Sequence, residues 1–212
     1  LLNEDQAKKN LEYMVAKAKL NKVLLRPHFK THQSAEIGAW FRELGIDQIT
    51  VSSVEMAQYF AQNGWSDILI AFPVNIREIE SLLKLSSQIR LSLLVESEDV
   101  VDILEKHIHI SLNLWIKVDT GNHRSGIDLA NFEKIYNLAE KIKKSPTLIF
   151  SGLLTHDGQT YKAKSAEEVV AIFHSVVGQL NEIRNNLLKK GIGNVKISMG
   201  DTPSARLVDS LG

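Results

Sequence analysis

The chain reads as an α/β protein: a (β/α)8 barrel whose eighth strand is still owed. Three observations predict this. Short apolar runs alternate with amphipathic stretches along the whole sequence. Most of these runs are apolar on both faces, as strands of a parallel sheet covered by helices are. Seven such units suit a barrel better than an open doubly wound sheet. The open sheet would want a glycine-rich dinucleotide turn after an early strand, and no G-x-G-x-x-G occurs.

The elements follow in order. A helix is expected over 4–20, then a short buried strand over 23–25 (Val23, Leu24, Leu25), then a helix over 35–44. Strands at 48–52, 68–72, 91–95 and 112–118 are followed by helices at 54–63, 76–85, 99–106 and 132–142. Strand 148–153 leads into a long helix over 166–190, and strand 195–198 comes last. Gly191-Ile192-Gly193 precedes that strand instead of following one, so it is a turn. No eighth strand appears before Ser210-Leu211-Gly212. Residues 1–212 are therefore expected to be an incomplete barrel domain of a longer protein.

Composition narrows the function classes. With 212 residues, 44% of them apolar, the chain can bury a substantial core. Its formal charge is zero, so no nucleic-acid or acidic-membrane partner is indicated. There is no cysteine, which removes disulfides and thiolate metal sites. No long apolar span or signal-peptide pattern is present, and cytoplasm is the default compartment. The chain opens at Leu1-Leu2 without a methionine, so residues before it are expected.

Chemistry concentrates where strands end. Arg26-Pro27-His28-Phe29-Lys30-Thr31-His32 follows the first expected strand and precedes a helix. That junction is where α/β barrels keep their reactive groups. Arg26, His28 and His32 flank Lys30 with potential positive charge, which would lower its pKa and ready it as a Schiff-base nucleophile. The plainer reading is a solvated basic loop. Three more strands end in polar clusters: Lys117-Val118-Asp119-Thr120-Gly121-Asn122-His123-Arg124-Ser125-Gly126, Thr155-His156-Asp157-Gly158-Gln159-Thr160-Tyr161, and Ser198-Met199-Gly200-Asp201-Thr202-Pro203-Ser204. In a parallel barrel these ends meet on one rim.

Each cluster also has a plain reading. Gly200, with Thr202, Ser204 and Pro203 at a helix start, suits an anion site. It equally suits a helix N-cap by Asp201 or Thr202. Arg124 is placed to hold a carboxylate or phenolate by two hydrogen bonds, or to pair with Asp119 or Asp128. His156 is placed to stack on a ring or move protons, or to rest on a loop carbonyl. Tyr161 contacts a phosphate or anchors a loop. Ser52-Ser53 reads first as a helix N-cap, and His107, His109 and His174 as structural or surface groups.

Taken together, these residues resemble the D-threonine aldolase and D-serine dehydratase group. These are fold-type III pyridoxal-phosphate enzymes related to alanine racemase. The resemblance is carried by the Arg26 to His32 motif, Thr50-Val51-Ser52-Ser53-Val54-Glu55-Met56-Ala57, Asp119-Thr120-Gly121 with Arg124 and Gly126, Thr155-His156-Asp157-Gly158 with Tyr161, and Gly200-Asp201-Thr202-Pro203-Ser204. It implies a cofactor-carrying barrel followed by a β domain beyond residue 212. Lys30, with His28 beside it, would bind pyridoxal 5'-phosphate covalently. Gly200, Asp201, Thr202, Ser204 and Tyr161 would hold the phosphate, His156 would lie near the ring, and Arg124 would meet the phenolic oxygen or the substrate carboxylate.

The resemblance further implies a divalent metal held by the C-terminal domain, with no ligand in this segment, and a site completed across a homodimer. The reaction would be retro-aldol cleavage of a D-β-hydroxy amino acid. D-Serine dehydration, racemisation and a non-catalytic pyridoxal-phosphate-binding homeostasis protein are the alternatives. The 117–124 segment also resembles alanine racemase, where a lysine at the position of Lys117 can be carbamylated and supports the arginine. A strand lysine paired with an acid is the favoured reading of Lys117. Gln159 stands where many relatives have histidine, which puts the substrate in question.

Overall fold

The computed structural model describes residues 2–211. Helix α1 (Glu4–Leu20) starts at Asn3, whose side chain accepts from the Gln6 N–H, and ends with Lys17 and Lys19 against the helix dipole. A single 3₁₀ turn, Phe29–Thr31, carries the candidate lysine. The alternation then runs α2 (Ala35–Glu43), β1 (Gln48–Val51), α3 (Val54–Gln62), β2 (Asp67–Pro73), α4 (Ile79–Ser86), β3 (Arg90–Val95), α5 (Glu98–His107), β4 (Leu112–Asp119), β5 (Ile127–Asp128), α6 (Phe132–Lys144), β6 (Leu148–Leu154), α7 (Ala166–Lys189), β7 (Lys196–Ser198) and α8 (Thr202–Leu207).

Every strand pair is parallel, in the order β1-β2-β3-β4-β6-β7, with the short β5 on β4. The sheet curls into a half-barrel. Side chains alternate across it as a two-residue period requires. Ile68, Ile70, Leu93, Val95, Leu114, Ile116 and Leu153 meet the helices in the main core. Leu69, Leu94, Trp115 and Leu154, with Ala71, form a separate cluster on the concave face. Lys117 is two residues beyond Trp115 and shares that face.

One expected element is absent. Residues 23–25 are not a buried strand: Leu24 is 84% exposed. The segment lies at the sheet edge, and its backbone meets the sheet at β1, through the Thr50 N–H on the Pro27 carbonyl at 2.8 Å and a single parallel bridge between His28 and Thr50. Pro27 brings no N–H to extend the ladder. Conversely, β5 was not anticipated. It is two residues long, too short to leave a periodic signal. No helix among the described residues is long and apolar enough to cross a membrane.

Gly152 shows why β6 and β7 can pair so closely. Its φ is +143°, and a Cβ there would stand 2.0 Å from the Lys196 carbonyl oxygen. The β6 register skips a residue at that point, from Leu114 opposite Phe150 to Trp115 opposite Gly152. The bulge bends the strand and tightens the curl.

Candidate active site

Phe29 fixes the lysine turn. It is fully buried, with ring centroids of His32, Phe41, Phe60 and Trp65 within 4.4 to 5.0 Å. With Phe29 pinned inward, Lys30 is exposed at the C-terminal rim. His28 caps the turn: its Nδ1 accepts the Lys30 N–H at 3.3 Å. An acceptor Nδ1 places the ring proton on Nε2. Burial, with Lys30 and His156 nearby, pushes the His28 pKa down to about 4, so it is neutral at pH 7. The Lys30 ammonium has no hydrogen-bond or ion-pair partner among the described residues.

The positive charge expected from the flanking residues does not come from them. Arg26 turns to the opposite rim, where it pairs with Asp67 at 2.8 Å and hydrogen-bonds Gln48 at 2.8 Å. His32 stacks on Phe41 in the aromatic cluster, its Nε2 buried without a partner, and burial lowers its pKa. Distant segments supply cations instead: Lys117 and Arg124 act, with Lys30, on His156. Lys117, on the concave face of β4, is 4% exposed, and burial together with Arg124 lowers its pKa to about 8. No carboxylate lies within ion-pair distance of it among the described residues, which corrects the expected pairing. Three acids oppose the shift from farther off: Asp157, Glu96 and Asp119. Burial raises the Glu96 pKa, and its Oε1 has no partner.

Arg124 is exposed and pairs with neither Asp119 nor Asp128. Burial works to raise the Asp119 pKa, but N–H bonds from Gly121 and His123, with the His123 ring 3.3 Å away, lower it on balance. Asp128 accepts from the Ala130 N–H. The guanidinium therefore points its donors at nothing within the described residues.

The loop after β6 and the turn after β7 meet. His156 Nδ1 lies 3.4 Å from the Gly200 carbonyl oxygen, so the Nδ1–H donates and Nε2 keeps its lone pair. Burial lowers its pKa, Arg124, Lys117 and Lys30 add to this, and the Gly200 carbonyl opposes it. Asp201 is the N-cap of α8: Oδ1 accepts the Ser204 N–H at 2.9 Å and Oδ2 the Ser204 hydroxyl at 2.8 Å. Thus Asp201 and Ser204 spend their groups inside the turn. Gly200, Thr202 and Tyr161 face out. Tyr161 is 59% exposed and its oxygen accepts the Thr202 N–H at 3.4 Å. A Cβ on Gly200 would meet nothing within 4 Å, so open space stands beside the turn.

The plain readings of the remaining groups hold. Ser53 caps α3 by accepting the Met56 N–H. His107 contacts the Ile103 carbonyl at the end of α5, and His109 and His174 are exposed.

A family model for the alanine racemase N-terminal domain matches residues 2–204. The chain belongs to that family. Within it, this alanine racemase N-terminal-type domain is 26% identical over 209 residues to D-threo-3-hydroxyaspartate dehydratase of Delftia sp., covering 97% of the chain and 55% of that protein. The solved Delftia structure superposes with a TM-score of 0.92 over 99% of the chain and 56% of its own. D-serine dehydratase of Dictyostelium discoideum is 25% identical over 196 residues, covering 85% of the chain and 49% of the relative. D-threonine aldolase of Arthrobacter sp. is 26% identical over 200 residues, covering 92% and 52%. The chain spans about half the length of the curated relatives it matches. The fold-type III resemblance read from the motifs is borne out.

Four residues that build this rim, Thr120, Thr155, Asp157 and Thr160, stood in the polar clusters of the sequence without a role of their own. They are buried, and their hydroxyls and carboxyl join the two loops. A signal existed in Thr155-His156-Asp157, an acid set immediately after an apolar strand, but only His156 was assigned a task.

Proposed function

We propose that this domain is the cofactor-holding half of a pyridoxal-phosphate-dependent lyase acting on D-β-hydroxy amino acids. The observation that carries the reading is the unpartnered Lys30 ammonium at a rim where Lys117, Arg124, His28 and His156 converge beside the open Gly200 turn. A rim with surplus cations and a glycine turn facing open space fits a ligand carrying a phosphate and a phenolate. When bound, the cofactor supplies an electron sink for the charge left as a bond at Cα breaks.

The chain's own groups have distinct tasks in this reading. Lys30 attaches the cofactor. His28, neutral, holds the lysine turn by capping it. The Gly200 backbone, Thr202 and the Tyr161 hydroxyl bind the phosphate, while Asp201 and Ser204 shape the turn from within. Arg124 offers a planar fork to a carboxylate. His156, with Nδ1–H given to Gly200, presents Nε2 to accept the β-hydroxyl proton of the substrate. The reading includes an eighth strand closing the barrel, a C-terminal β domain and a homodimer. The half-length match to relatives supports the further strand and domain, and the homodimer rests on the motif resemblance. Among the described residues no group of three or more His, Cys, Asp or Glu could hold a metal, and no step is assigned to one.

Retro-aldol cleavage is the leading reaction. Loss of the hydroxyl is the second reading, because the Delftia and Dictyostelium relatives are named dehydratases. Borohydride reduction of the intact protein with cofactor should fix the label on Lys30, and label on Lys117 would overturn that assignment. D-Threonine should then yield an aldehyde. A keto acid and ammonia from D-serine or D-threo-3-hydroxyaspartate would select dehydration. Interconversion of D- and L-alanine alone would replace both with a racemase. Cofactor binding with no turnover of any amino acid would leave a binding protein.

A further inference from the structure

We infer that Asp157 is a positioning residue for the phosphate turn, locking the loop after β6 to the end of β4 and, through Thr160 and Asp201, fixing the path of Gly200. The inference rests on the pyridoxal-phosphate reading above. Asp157 touches no ligand space: it is 0% exposed. Its Oδ1 accepts from the Thr120 hydroxyl at 3.2 Å, and Thr120 is itself 2.9 Å from the Thr155 hydroxyl. That fastens the loop to the residue just past β4. The Thr160 hydroxyl then reaches two acceptors at once, the Asp157 carbonyl at 2.8 Å and Asp201 Oδ1 at 2.7 Å. One hydroxyl proton thus serves both loops. Asp201 in turn holds Ser204 by two bonds, and His156 meets Gly200. Residues 155–160 and 200–204 are therefore tied together by hydrogen bonds.

Such an arrangement is poor economy for stability alone. Asp201 stands close enough to disfavour the charge on the buried Asp157 carboxyl, and Asp157 Oδ2 has no partner. Apolar side chains of the same size would fill that volume with no charge to desolvate. What the acids and hydroxyls provide is direction: each bond fixes an angle, and the turn they fix is the one with open space beside it.

The test measures affinities of the intact apoprotein for pyridoxal phosphate and for pyridoxal, with folding checked by thermal melts. Asp157→Ala should weaken pyridoxal phosphate about tenfold or more while changing pyridoxal less than about twofold. Asp157→Asn should restore the phosphate affinity, because its carbonyl oxygen still accepts from Thr120. Thr160→Val leaves Asp157 in place and cuts the link to Asp201, so it should show the same phosphate-selective loss. If Asp157→Ala fails to fold, Thr160→Val and Asp157→Asn decide. Unchanged phosphate affinity in Thr160→Val, equal loss of both ligands, or failure of Asn to rescue would overturn the inference. Wild-type protein that binds neither ligand would instead overturn the cofactor reading itself.

Discussion

Asp157 holds its proton to a higher pH than a carboxyl ordinarily does. Burial and the neighbouring Asp201 raise its pKa from 3.8 to about 6, against the pull of Thr120 and Lys117. The folded state binds this proton more tightly than the unfolded chain. Its contribution to stability is therefore full below about pH 4 and is lost as pH rises to 6, at most ~3 kcal/mol for a shift of this size. His28 slopes the other way, since its pKa falls from 6.5 to about 4 and folding favours its neutral form as pH rises through that range. The checkable quantity is thus a difference. Urea midpoints of wild type and Asp157→Asn should converge at pH 4, and the variant should gain relative to wild type up to pH ~6.5. A constant difference across that range would show that Asp157 titrates normally. At the same scale, Arg124→Lys should cost most of the activity with stability unchanged within ~0.5 kcal/mol, because the guanidinium makes no ion pair that lysine would have to replace. A melting temperature that falls with activity would expose a structural role.

Individual elements explain what the sequence could and could not reveal. The lysine turn was legible because a strand-like run, a proline and a helix start bracket it. The sources of its charge were not. Arg26 finds Asp67 across the sheet, and His32 finds Phe41, and neither partner is near in sequence. Most helices were readable nearly to the residue because they carry an apolar stripe and a side-chain cap, whereas the one expected from 76 opens with a 3₁₀ turn and α4 starts, uncapped by a side chain, at Ile79. The edge segment at 23–25 misled because an apolar triplet cannot say whether both of its neighbours exist. Phe29→Ala should destabilise the protein by ~3–5 kcal/mol by emptying the aromatic cluster. It should also slow borohydride labelling of Lys30, the residue that Phe29 aims outward. Gly152→Ala should be comparably damaging, since its methyl would displace the Lys196 carbonyl and part β7 from β6. A melt within 2 °C of wild type would mean that β7 shifts freely.

Across the whole molecule, the sheet is strongest in the middle. β4 is paired on both sides over 113–116, by β3 and β6, whereas β7 is three residues long and the 23–28 segment has one bridge. Amide exchange should accordingly be slowest in β4 and fastest at 23–28 and 196–198, by at least about a hundredfold. Uniform protection would contradict the half-barrel's open edges. The parallel run of every strand also divides the surface into two rims with unequal duties. The groups given tasks in the proposed function lie on the rim where strands end. Where strands begin stand the Arg26–Asp67–Arg90 clasp and tight returns such as 44–47, 63–66 and 190–195. Those returns are the places to graft a tag, lengthen a loop or open a new terminus, because a change there is insulated from the chemistry by the full height of the sheet.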